Sequence, residues 1–223
     1  MSTTRRLPRG RNALPPDEVA RVQRGRLCQA MAEVMAEKGY AATSVEDVLR
    51  RAGVSRLSFY RLFGSKLDCF MAALDRSAGL LLQRIAEALG ADGARGGDPL
   101  ERYERAAAVY FEALEAEWSS TRLCLVETFA AGPRAVAHRD RFHEVMAEVH
   151  ADLLGVTDER GVLACRMVTA AVISLIAVPV AANDRAALRA VRPQVIAHVR
   201  ALWECGAFGA GTGRGRVPRT SPS

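Results

Sequence analysis

Apolar residues recur along this chain at intervals of three and four, in runs separated by glycine, proline and Ser/Thr/Asp punctuation. That is the period of helix faces buried on one side, and no segment alternates persuasively with the period of two of a half-buried strand. Pro15-Pro16-Asp17 opens a first helix carrying Val22, Leu27, Ala30, Met31, Val34 and Met35, which Gly39 stops. Thr43 with Glu46 reads as a capping box for a second helix with Val45, Val48 and Leu49 on one face, and Gly53 ends it. Ser55 caps a third helix whose buried face is Phe59, Leu62 and Phe63. Ser65 with Asp68 caps a fourth, with a stripe through Phe70, Leu74, Leu81, Leu82 and Ile85 to about Leu89.

Asp98-Pro99-Leu100-Glu101 is a further helix start, with a cap, a proline at the first position and a capping glutamate. Ser119-Ser120-Thr121 reads as punctuation before a short helix through Leu125 and Phe129 that ends at Gly132-Pro133. A helix over about 134–154 follows, then an apolar one over 158–182, and a last one from Asn183-Asp184 to about Cys205. The fold predicted is all-α. Its divisions are a disordered basic arm (1–16), a three-helix module (17–66), a longer helical body (67–205) and a low-complexity tail (206–223).

Charge sharpens this division. Residues 1–66 hold 13 Lys/Arg against 6 Asp/Glu, whereas residues 67–205 hold 15 against 19. A basic module on an acidic body is the layout of a protein that approaches duplex DNA from one end. The arm's Arg5, Arg6, Arg9 and Arg11 could follow a minor groove or phosphates, or form a solvated tail. The five cysteines are scattered with no C-x-x-C pair, as in a reduced, cytoplasmic protein. No apolar stretch follows the N-terminal arginines as in a signal peptide. The longest apolar run, Met167 to Ala182, is too short for a comfortable membrane span and contains Pro179, so no membrane partner is expected.

Two short helices joined by a glycine turn, the second with Arg56, Ser58, Tyr60 and Arg61 on its outer face, form a helix-turn-helix. The same residues resemble the signature of the TetR family of transcriptional regulators. The match runs through Thr43, Ala52-Gly53-Val54-Ser55, Phe59-Tyr60, Phe63 and Lys66, over about residues 20–75. Leu49 stands where a small Ala is usual, and Leu57 where Gly is frequent. The resemblance implies that Arg56, Leu57, Ser58 and Arg61 lie at the major groove, with the cap Ser55 also among the DNA-binding residues. It puts Thr43, Tyr60 and Lys66 on the phosphate backbone. Arg suits guanine O6/N7, and Leu57 suits a thymine methyl.

The resemblance also implies a C-terminal small-molecule pocket. Tyr103, Tyr110, Phe111, Trp118, Phe129, His143, Met146 and Met167 are its candidate lining, though at helical spacing they are first of all core. Arg122, His143 and Thr169 are candidate polar points. His143 and His150 lie two turns apart, but no second helix offers the inward Glu/His pattern of a metal bundle, so no metal or cofactor is expected. The small residues Ala170, Ala171, Ser174, Ala177 and Ala181, with the stripe Val195, Val199, Leu202 and Trp203, suggest a four-helix homodimer interface. The expectation is a homodimeric repressor, released from a palindromic operator by a small apolar effector. The alternatives are an architectural DNA-binding protein without effector, or an all-α metal-dependent enzyme.

Overall fold

The computed structural model describes residues 15–90 and 97–209; the expected N-terminal arm and most of the C-terminal tail lie outside them. Among the described residues there is no strand. The helices are α1 (Pro16–Ala42), α2 (Val45–Ala52), α3 (Arg56–Leu62), α4 (Lys66–Leu89), α5 (Pro99–Ala116), α6 (Trp118–Arg122), α7 (Thr128–Ala131), α8 (Pro133–Leu154), α9 (Glu159–Ala181) and α10 (Arg185–Glu204), with a π-turn at Leu123–Glu127 between α6 and α7. Compactness divides the chain into two units. One holds the residues up to Leu80 together with Glu117–Arg139, and the other holds Leu81–Ala116 and the residues from Asp140 onward. Packing thus cuts the chain at residue 80 rather than 66, because Cys69, Phe70, Ala73 and Leu74 of α4 sit in the first unit's core.

In the first unit that core gathers Leu27, Met31 and Met35 of α1, Val48 of α2, Phe59 of α3 and Leu123 of the π-turn, all fully buried or nearly so. Burying each such side chain contributes about 1.5–3 kcal/mol, enough in sum to fix three short helices that would not persist alone. Gly53 ends α2 in the left-handed region at φ 62°. Ser55 caps α3 by accepting the Ser58 N–H. The cap of α2 is one residue later than expected. Ser44, not Thr43, is the N-cap, and its box partner is Asp47, not Glu46. Thr43 is instead buried, with its hydroxyl donated to the Gly39 carbonyl at 2.7 Å. Ser119–Thr121 also depart from expectation. They do not interrupt a helix but form most of α6, with Thr121 buried.

In the second unit α10 packs against α5 and α9. Arg189, Arg192 and Arg200 pair with Glu115, Glu112 and Glu104, a descending order on α5 that marks an antiparallel register. Exposed pairs of this kind contribute little each, so the packing energy lies beneath them in Phe111, Leu188, Val195 and Val199. Val195 and Val199, expected at a dimer surface, therefore face their own unit. The segment 206–209 is not loose tail. Phe208 is 1% exposed, and its carbonyl lies so near Gly161 that a Cβ there would come within 2.3 Å. A lone aromatic among Gly and Ala carries no periodic signal, but its burial is worth as much as that of any core residue.

Candidate nucleic-acid interface and helical pocket

The turn between α2 and α3 is built so that α3 buries one edge and offers the other. Phe59 is fully buried, edge-on to Tyr60 at 5.2 Å and tilted against Phe63 at 5.6 Å. The opposite edge is open: Leu57 is 64% and Tyr60 50% exposed, with Arg56 and Arg61 beside them. Two large apolar side chains left in water on a seven-residue helix contribute little to the fold, so this edge fits a partner surface. Arg56 pairs with Glu46 at 2.8 Å, both well exposed, so a carboxylate holds its guanidinium until something more negative replaces it. Ser55 and Ser58 share a 3.0 Å hydrogen bond at the cap. Asp47 accepts from Ser44, Lys38 and Arg50, and these hydrogen bonds hold its carboxyl well below the usual carboxylate range.

Thr43 and Lys66, expected on phosphates, meet each other in the free chain. The Lys66 ammonium donates to the carbonyls of Tyr40 and Thr43 at 2.9 Å each and lies 4.1 Å over the Tyr40 ring. Burial pushes its pKa down. Two of its three donors thus tie the start of α4 to the end of α1, which leaves one for another acceptor. Sequence reasoning missed Glu127. Its carboxylate is buried in the π-turn and accepts the Tyr40 N–H at 2.7 Å, next to the break in α1 at Gly39 (φ 79°, ψ 167°). A π-turn often marks a functional position, but its partner here is 87 residues away, so nothing local reveals it.

The eight candidate pocket residues are divided between the two units. Trp118 and Phe129 belong to the first unit, where Phe129 is 61% exposed beneath the Arg139 guanidinium. Met167 is 65% exposed on α9. The other five lie in the second unit, with Tyr103, Phe111 and Met146 buried and Tyr110 and His143 half-buried. Arg122 and Thr169 fall in different units. An open groove of about 460 Å³ runs along α10 from Arg192 to Glu204, away from this set. What the second unit does join is Tyr103, His150 and Thr169. The Tyr103 and His150 rings meet edge-on at 5.4 Å, and Thr169 Oγ1 is 2.8 Å from His150 Nδ1.

Residues 27–73, which span α2, α3 and their flanks, match the model of the bacterial regulatory proteins of the tetR family. The similarity to that family rests on this stretch, about a fifth of the chain. Among sequence relatives, FasR of Mycolicibacterium smegmatis, an HTH-type transcriptional activator, is 29% identical over 64% of this chain and 62% of its own length. The uncharacterised HTH-type regulator YezE of Bacillus subtilis is 43% identical over 19% of this chain and 22% of its own. The chain thus spans less than two thirds of either relative. Among solved structures, the fatty acid degradation regulator FadR of Bacillus halodurans superposes with a TM-score of 0.65 at 18% identity, covering 78% of this chain and 93% of its own. A TetR-family regulator of Streptomyces coelicolor gives 0.67 at 20%, covering 86% and 83%. At these identities the structures establish the shared fold. The family and the named relatives are regulators of transcription, not enzymes.

Proposed function

We propose that this chain is a homodimeric TetR-family transcriptional regulator that reads a palindromic operator with α3 and is released from it by a small, largely apolar molecule held in the second unit. The observation that carries the reading is the outer edge of α3. Arg56, Leu57, Tyr60 and Arg61 stand exposed beside a fully buried Phe59, as a recognition helix in a major groove requires. Arg56 and Arg61 would read base edges, while Tyr60 and the remaining donor of Lys66 would meet phosphates. The support for dimerisation is α9. This helix is apolar and long enough to cross a membrane, yet only 33% of its apolar window is buried. Leu163, Met167, Leu175 and Val178 are between 49% and 72% exposed and, with Ala170, Ala171 and Ser174, form one stripe at helical spacing. A second copy of the same stripe is the partner that covers it symmetrically.

Two copies then present their α3 helices to half-sites about one turn of DNA apart, ~34–36 Å. The effector acts only through its different affinities for the DNA-competent and the released arrangement. Where the operator overlaps a promoter, release gives induction and the chain is a repressor. FasR is named an activator, and the sign of control follows the operator's place. The test is selection of duplexes from a random pool, followed by titration of the enriched sequence. An inverted repeat bound by two copies, with preference lost on Arg56→Ala, is the expected result. Enrichment of no sequence would favour an architectural role.

A further inference from the structure

In the second unit a phenol and an imidazole sit side by side, and the hydrogen bonds among the described residues leave part of their capacity open. Tyr103, on α5, is 2% exposed, and its hydroxyl has no hydrogen-bond partner among the described residues. His150, on α8, meets Tyr103 edge-on and touches Thr169 of α9 through Nδ1. Thr169 donates its single hydroxyl proton to the Cys165 carbonyl at 2.9 Å. Towards His150 it is therefore an acceptor, Nδ1 carries the hydrogen, and Nε2 is left a bare lone pair. This tautomer follows from the hydrogen-bond pattern.

The surroundings are apolar, and part of their surface stays accessible. Tyr103 shares its helix face with Ala106 and Tyr110, and His150 shares its own with Met146 and Leu153, by their spacing of three, four and seven. In the cluster that these faces build, Met146 and Leu153 are buried, while Val109, Tyr110 and Phe142 keep accessible surface. His150 does the same. It is deep enough that desolvation lowers its pKa to about 4, yet it is only half-buried.

We propose that Tyr103 and His150 are the polar end of the second unit's ligand site, and that the group they take is neutral and both gives and accepts a hydrogen bond, a hydroxyl or an amide rather than a carboxylate. This rests on the effector-responsive reading above. Nε2 accepts the ligand's O–H or N–H, and the phenol donates to the ligand's oxygen. A carboxylate could accept from the phenol but would face the Nε2 lone pair with no proton between them. The neutral imidazole offers it no charge.

The test uses the full chain with octan-1-ol, octanamide and octanoate, which share an apolar stem and differ in the head. In wild type, the alcohol and the amide should raise the melting temperature by ~5–10 °C at a hundredfold excess over Kd, and octanoate should not. Tyr103→Phe keeps the ring and removes the unpaired hydroxyl. It should leave the free protein as stable as wild type or more so, while weakening the alcohol's binding about tenfold or more. A less stable Tyr103→Phe protein, a shift by octanoate equal to that by octan-1-ol, no shift by either neutral probe, or a shift indifferent to the substitution would each overturn the assignment. Operator affinity, measured in parallel, separates the two readings. Tyr103-dependent binding that leaves operator affinity unchanged keeps the site and sinks the effector response. Release of DNA by octanoate, unaffected by Tyr103→Phe, does the reverse.

Discussion

Replacing Glu127 tests whether the π-turn holds the DNA-reading head in shape. Three contacts meet at the end of α1. Glu127 accepts the Tyr40 N–H at 2.7 Å, the Tyr40 carbonyl accepts from Lys66, and the Thr43 hydroxyl donates to Gly39. Gly39 permits them. At φ 79° and ψ 167° it occupies a region essentially closed to other residues, and a Cβ there would lie 3.4 Å from the Glu127 carboxylate. Glu127→Ala leaves the Tyr40 N–H with no acceptor, which costs ~1–3 kcal/mol, towards the upper end because the lost acceptor is charged. Glu127→Gln keeps an oxygen at the same reach and forfeits only the charge assistance, ~1 kcal/mol. For a chain of this size, ~2 kcal/mol corresponds to ~4–8 °C in melting temperature.

Amide exchange localises the effect. The Tyr40 N–H should exchange ~30-fold faster in the Ala variant, since each ~1.4 kcal/mol is a factor of ten, and severalfold faster in the Gln variant. DNA affinity should fall in the same order, because α2 starts six residues after the break at Gly39 and takes its direction from it. Tyr40 protection unchanged in Glu127→Ala, or a Gln variant as damaged as the Ala one, would refute the reasoning.

Arg56→Ala should relax preference at one symmetric base pair of each half-site by ~1–3 kcal/mol, whereas Tyr60→Phe should weaken all sequences alike; titrations against single-base operator variants separate the two. Met167→Arg and Val178→Arg, at positions 65% and 72% exposed, should give folded monomers by sedimentation, and a surviving dimer would move the interface off α9. His150, held at about 4 against an ordinary 6.5, stays neutral in the native state while the unfolded chain takes up a proton below 6.5. Stability should therefore be lost as pH falls from about 6.5 to about 4, by at most ~3 kcal/mol. Asp47 and Asp68, whose pKa values are lowered by their hydrogen bonds, add acid loss only below the ordinary carboxylate value. Denaturant midpoints across that window should flatten in His150→Gln, and an unchanged slope would exclude His150 as the cause.

The helix order was legible because caps are local. Asp98, Asp158 and Asp184 each bond an amide three residues on, and a reader of the sequence sees both partners. The slip from Ser44 to Thr43 has the same origin. Thr43–Glu46 and Ser44–Asp47 are two frames of one pattern, and only Thr43's burial against Gly39 chooses between them. Ser119–Thr121 misled because hydroxyl residues favour loops on local grounds, while burial of Trp118, Thr121 and Leu123 overrides that preference. Val195 and Val199 form a stripe that sequence cannot aim. An apolar face looks alike whether its partner is α5 of the same chain or another copy. Glu127 and His150 were not legible, since each acquires its role from a contact far away along the chain.

The residues that break the rules of a well-satisfied fold are those that mark partners, and the kind of breach indicates the kind of partner. On α3 the exposed apolar residues Leu57 and Tyr60 are interleaved with arginines. A bare protein surface would repel that mixture, but a groove with thymine methyls between phosphates accommodates both parts of it. On α9 the exposed residues from Leu163 to Val178 are apolar or small, apart from Arg166, which pairs with Glu144 of α8. No polar ligand matches such a stripe, whereas an identical stripe does. Inside the second unit the breach is reversed, a polar hydroxyl in an apolar setting, and it calls for something small with a matching polar atom. On the proposed reading each breach lowers the stability of the free chain and is repaired when its partner binds. Operator, second copy and effector would then each add to the stability of the folded state by mass action. Coupling between them enters where the repairs compete, and the carbonyls, ammonium and carboxylate gathered at Tyr40 are a place where a shift of the π-turn would move α2 and α3 together.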